Sequence, residues 1–163
     1  MQPITRDEFA QLLVASSVRP RLRRELRFVP EEIESWEDRD FLAVTTKSGA
    51  EGVLIVPFAD MRVVPFRVQK RTPNHMGRTE AIICDICATW QRGTHSQILT
   101  LDKQKSSSSF LVCDGLKCSL HVRNKTPEAV LSRTQLRENN SIEERIERLK
   151  QRMTTLLDDY EAA

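Results

Sequence analysis

The sequence predicts an α+β chain: short helices and a small antiparallel β-sheet first, then a cysteine-bearing lobe closed by a long helix. Three observations carry this reading. β-Branched runs fill residues 41–69, four cysteines fall within residues 84–118, and an apolar stripe at three- and four-residue steps runs through 142–160. The polar "KRTPNHMGR" (70–78), with its Pro and Gly, divides the chain into two expected lobes. These are an α/β lobe at 1–72 and a cysteine lobe at 76–163.

The first helix starts at "ITRDE" (4–8). Thr5 can cap it and Glu8, three residues on, can return the favour, while Ile4 and Phe9 occupy the two staple positions. Phe9, Leu12 and Leu13 continue one apolar face. Pro20 suits the first turn of a second short helix within "RPRLRRELR" (19–27). "FLAVTT", "GVLIVPF" and "MRVVPFRVQ" then read as a three-stranded antiparallel meander. Pro57 and Pro65 place parts of these strands at edges or bulges, because proline cannot donate to a ladder.

In the second lobe, "SQILTLD" (96–102) and "FLVC" (110–113) make a hairpin whose connection, "KQKSSSS" (103–109), is expected to be polar and flexible. The last helix opens on a second capping box, Ser141 with Glu144. Its stripe is Ile142, Ile146, Leu149, Met153, Leu156, Leu157 and Tyr160. Packing of that stripe within the chain, rather than on a second copy, is the simpler expectation, and implies a monomer.

Apolar residues make up 39% of the 163 and charged residues 29%, enough for a modest core and unlike a disordered chain. Net charge is only +2, so the overall balance does not demand a nucleic-acid partner. Charge is nevertheless uneven: residues 19–27 hold five arginines, and "EEIESWEDRD" (31–40) holds six acids. The arginines could contact phosphate or pair with those acids; the acids read as a solvated stretch. The N-terminus lacks the pattern of a signal peptide, and the longest apolar run, "VLIVPFA" (53–59), is far short of the ~20 residues a membrane span needs. A cytoplasmic, membrane-free protein is expected. In that reducing setting clustered cysteines more often bind metal than form disulfides.

The cysteines stand as Cys84-x2-Cys87, then 25 residues, then Cys113-x4-Cys118. A C-x2-C turn presents both sulfurs to one side, and two such half-sites give a closed tetrahedral Zn²⁺ centre. The second half is wider. On one continuous helix, residues five apart would point about 140° away from each other. Asp114 and Gly115 must therefore turn, with Cys113 ending a strand and Cys118 opening a helix. Knuckle, hairpin and ligand-bearing helix together are the logic of a treble clef. One structural zinc is expected, because four thiolates close the shell and quench the Lewis acidity that catalysis would need. His121, about one turn beyond Cys118, could be a ligand or a neighbour. His95 lies in a loop and His75 in the linker. The sequence holds no Gly-rich phosphate loop, G-x-S-x-G or H-E-x-x-H, and the chain reads as a non-enzyme. Trp90, Lys103, Lys105 and Phe110 lie on or beside the hairpin. Trp90 reads as a cap over the metal and Phe110 as core, yet the group also has the composition of a partner-binding edge.

With "CDIC" (84–87), "CDGLKCSLHVR" (113–123), "SRTQLRENNSIEERIERLKQRM" (132–153) and "WEDRDFLAV" (36–44), the chain resembles the FusB-type elongation factor G-binding proteins over residues 3–160. The resemblance is to their C-terminal treble-clef zinc-finger domain, in a short form without the helical domain that precedes it. It implies a four-cysteine zinc site at Cys84, Cys87, Cys113 and Cys118. It also implies a cytosolic protein that binds elongation factor G on or near the ribosome, with fusidic-acid resistance as the associated activity. His121 stands where an aromatic such as Tyr is expected. A different reading is a zinc-ribbon-like RNA or ribosome binder using the arginines of 19–27 and Lys103, Lys105, Lys117 and Lys125.

Overall fold

Thr5 caps the first helix, α1 (Arg6–Ala15), in the computed structural model, which describes residues 1–58, 60–103, 105–127 and 139–161. The Thr5 hydroxyl accepts from Glu8 N–H at 3.2 Å and the Glu8 carboxylate accepts from Thr5 N–H at 2.7 Å. Ile4 and Phe9 are both buried in one apolar cluster, so the staple is in place. α2 (Pro20–Glu25) follows, with Pro20 in its first turn.

The meander forms as β1 (Leu42–Thr45), β2 (Glu51–Val56) and β3 (Arg62–Lys70). Two short strands, β4 (Ile82–Ile83) and β5 (Trp90–Gln91), pair separately, and β6 (Ser96–Asp102) and β7 (Ser107–Cys113) form the hairpin. The larger sheet has the order β1-β2-β3-β6-β7 and is antiparallel throughout. It therefore runs across the connection expected to separate two lobes: β3 pairs with β6 from Arg67↔Thr100 to Lys70↔Gln97. Pro65 sits before that ladder begins, where β3 is still an edge toward β6 and needs no donor. Pro57 directly follows β2.

The sheet is the middle layer of three. Val53 and Ile55 face the cluster built by Phe9, Leu13, Val18 and Leu22 of the N-terminal segment. Their neighbours Leu54 and Val56 face the opposite cluster, which holds the cysteines and the last helix. All four side chains are fully buried. At about 1.5–3 kcal/mol for each, this one strand binds both outer layers to the sheet, and burial on two sides explains why it reads as a continuous apolar run rather than an alternating one.

The hairpin connection is shorter than the sequence predicts. Ser107, Ser108 and Ser109 belong to β7, opposite Asp102, Leu101 and Thr100, and the Thr100 and Ser109 hydroxyls bond at 3.0 Å. β7 already begins at Ser107, just after Ser106, whose carbonyl accepts from Lys103 N–H at 2.8 Å. Cross-strand pairing recruits serines that carry little strand preference of their own.

After α3 (Cys118–Val122) the chain reaches α4 (Ile142–Glu161). Residues 132–138 of the stretch used in the family resemblance lie outside the described residues. The Ser141–Glu144 capping box is present, at 2.7 and 3.2 Å. Leu149, Met153, Leu156 and Leu157 are buried, and Ile146 and Tyr160 pack half-buried beside them against Phe41, Leu54, Val64 and Phe66. Ile142 is the exception at 39% exposed: it occupies the first turn, and the buried face begins one turn later. The helix packs within its own chain, as expected. Among the described residues no helix is long and apolar enough to cross a membrane.

Candidate metal centre

β4 delivers Cys84 to a tight reversal. The Cys84 N–H donates to Thr89 O and its carbonyl accepts from Ala88 N–H, both at 2.9 Å. Ala88 takes a left-handed conformation at φ 55°, a state that costs a non-glycine residue roughly 1–2 kcal/mol. The reversal turns Cys84 and Cys87 to one side. β7 ends on Cys113, Asp114 to Leu116 make one turn with Gly115 at φ 65°, and Cys118 opens α3. This is the strand, turn and helix that the wide spacing demands.

The four sulfurs lie within 4.8 Å of one another, and all four cysteines are fully buried. Cys118 Sγ is 3.2 Å from Cys113 Sγ and 3.9 Å from Cys84 Sγ. A zinc ion with bonds of about 2.3 Å to sulfur sets tetrahedron edges of about 3.8 Å, so the cage matches one ion. A disulfide needs about 2.05 Å, and none of the four cysteines forms one. The charge argument agrees. Burial, then the neighbouring sulfurs, pushes the Cys118 thiol well above its ordinary range. Hydrogen bonds from Cys113, Cys118 and Cys84 hold Cys87 well below it. Such a group cannot become four thiolates without a cation inside it. Four soft sulfurs in tetrahedral arrangement suit one zinc ion.

The family model of the FBP C-terminal treble-clef zinc-finger matches residues 19–159. The chain belongs to this family. No curated protein and no solved structure matches it.

In this FBP zinc finger the metal cage is braced by β5, β7 and α4. Thr89 Oγ1 lies 2.9 Å from Cys87 Sγ and accepts from Gln91 Nε2 at 2.8 Å; that amide nitrogen is 3.4 Å from His121 Nδ1. His121 is buried beside the cage but is not one of the four clustered ligands. Such partners orient ligating sulfurs. Asp85, inside the knuckle, bonds β7 twice: its N–H donates to Leu111 O at 2.8 Å and its carboxylate accepts from Leu111 N–H at 2.6 Å. Arg152 of α4 reaches the Asp85 carbonyl at 3.1 Å, and Arg145 reaches the His121 carbonyl at 3.1 Å.

A buried ion pair ties the zinc finger's α3 to the N-terminal segment. Arg123 grips the Asp40 carboxylate with both guanidinium nitrogens, at 2.6 and 3.0 Å. The Asp40 N–H donates to the Ser119 hydroxyl at 3.0 Å, and Lys125 Nζ reaches Asp38 at 2.6 Å. The acidic run 31–40, expected to be solvated, therefore ends in two buried carboxylates, because partners some eighty residues away neutralise them. The only sequence signal was charge opposition between "DRD" and "RNK".

The residues expected at a partner-binding edge lie on β5, on β7 and at the hairpin turn. Phe110 faces the core cluster, opposite Leu99. Trp90 is half-buried on β5, opposite Ile83. Lys103 and Lys105 share the hairpin turn; Lys103 Nζ donates to the Asp159 carbonyl at the end of α4, and Lys105 is exposed.

Proposed function

We propose that the chain binds translation elongation factor G by contact, without covalent chemistry, and modulates the factor's release from the ribosome in the cytoplasm. Membership of the FBP zinc-finger family carries this reading. A shell of four buried sulfurs supports a structural role for zinc, since it offers no open position for water. Under this reading the contact surface surrounds the knuckle. Ile83 and Leu111 expose apolar area there, at 58% and 38%, with Trp90 beside Ile83 and Lys105 at the hairpin turn. Phe110 contributes by supporting β7 from within.

Calorimetric titration of the zinc-loaded chain against purified elongation factor G tests the proposal. Micromolar or tighter binding is expected, surviving an increase from low to moderate salt, lost on zinc removal and weakened at least tenfold by Ile83→Asp. Absence of binding at either salt concentration would sink it.

The alternative RNA surface at residues 19–27 has less support. Arg21 pairs with Glu25, Arg27 with Glu32, and Arg23 donates to the Val18 and Ser16 carbonyls. Lys125 is engaged by Asp38.

A further inference from the structure

We infer that the groove lined by α1, Trp36 and Met61 is a docking site for a partner protein's amphipathic helix, one carrying lysine or arginine beside its apolar stripe. The site does not depend on the elongation-factor reading, and no zinc ligand lines it. The groove has a volume of about 960 Å³. α1 contributes Glu8, Gln11, Leu12 and Ala15, whose three- and four-residue steps put them on one helix face. Phe9 and Leu13 of the same helix turn to the core instead. Met1, Leu12 and Trp36 rest half-buried on the N-terminal apolar cluster, so core packing fixes these lining side chains. Met61 completes the apolar lining and is 45% exposed.

Charge and backbone select the occupant. Glu8 and Glu37 are exposed, and the lining holds no lysine or arginine to balance them. The Met1 ammonium donates to the Trp36 carbonyl at 2.9 Å and to the Arg39 carbonyl. Neighbouring arginines are engaged as well: Arg62, next to Met61, pairs with Asp158 and Glu161, and Arg123 grips Asp40. Lys150 acts on the Met1 amine from outside the lining. Exposed acids beside an apolar groove repel phosphate and anionic lipid and favour a cationic partner. The lining also offers no strand edge. Pro57 follows β2, Met61 precedes β3, and Pro3 and Pro57 have no N–H. An extended peptide therefore finds no ladder to join, whereas a helix docks through side chains alone. Methionine and tryptophan suit that packing. A second copy does not supply the helix. Phe9 and Leu13 of α1, Leu22 of α2 and Leu149, Met153, Leu156 and Leu157 of α4 are buried within their own chain.

The test is fluorescence anisotropy of the zinc-loaded chain with a labelled helical peptide of about 18 residues, roughly five turns. Its leucines repeat at three- and four-residue steps and lysines flank the stripe. Micromolar binding is expected, weakened about tenfold or more by Met61→Lys and about two- to fivefold by Glu37→Gln. Peptides with glutamate in place of lysine, or with the same residues in an order that breaks the stripe, should bind at least about tenfold more weakly. Ile83→Asp, on the zinc knuckle, should stay within about twofold of the unmodified chain. Met61 and Glu37 are exposed, and retained zinc content with unchanged circular dichroism would show both variants folded. No binding of the cationic peptide, equal binding of the stripe-less one, or indifference to Met61→Lys would overturn the assignment. So would loss of binding in Ile83→Asp, which would place the peptide on the knuckle. Self-association of the chain that Met61→Lys abolishes would overturn it too, since a second copy would then fill the groove.

Discussion

Removing zinc with a chelator should unfold the chain rather than soften it. Cys84, Cys87, Cys113 and Cys118 are members of the main apolar cluster, together with Leu116, Val122, Leu149 and Met153. The metal site is therefore a wall of the core. Structural zinc contributes on the order of 10–16 kcal/mol of apparent binding energy at neutral pH, which matches or exceeds the ~5–15 kcal/mol that holds a whole domain folded. The expected result is loss of the cooperative thermal transition and of most far-ultraviolet ellipticity on chelation, restored by added zinc. Cys118→Ser should behave like the chelated protein, because Cys118 Sγ lies 3.2 and 3.9 Å from two other sulfurs and Cys118 begins α3. An unchanged melting curve after verified metal removal would show that the apolar layers suffice alone.

Arg123→Ala should be the most damaging substitution outside the cage. Asp40 is 5% exposed at its side chain and Arg123 14%, so the variant strands a carboxylate in the interior. Breaking a buried pair from one side costs roughly 3–5 kcal/mol, visible as a large drop in the denaturant midpoint at unchanged slope. Lys125→Ala removes a partner whose side chain is 53% exposed, and about 1 kcal/mol or less is expected. Equal effects for the two would mean that burial does not set the energetics here. The comparison also reports on coupling between layers, since Asp38 and Asp40 belong to the N-terminal segment while Arg123 and Lys125 follow the last zinc ligand.

Local features were readable from the residues alone. Both capping boxes depend on side chains three residues apart, and both helices start where those pairs stand. The turn between Cys113 and Cys118 followed from helix geometry, and Gly115 adopts the positive φ that the turn needs. Non-local features were not readable. Nothing in "RVVPFRVQK" and "SQILTLD" names them as partners, since register between strands with some two dozen residues between them depends on the packed layers on either side. The same holds for Asp38 and Asp40, which look like solvent-facing acids until α3 brings Arg123 and Lys125 to them. Ile142 fits the apolar period of α4 yet extends past the core, because periodicity reports the face of a helix and not where its neighbour ends.

The central claim, that this family member carries one closed four-sulfur zinc centre, is tested most directly by zinc-edge X-ray absorption on the purified protein. Four sulfur neighbours at about 2.3 Å, with no nitrogen or oxygen in the shell, is the predicted result. Three sulfurs with a nitrogen would place His121 on the metal in place of a cysteine, and an oxygen would mean a bound water and a centre open to chemistry; either would contradict it.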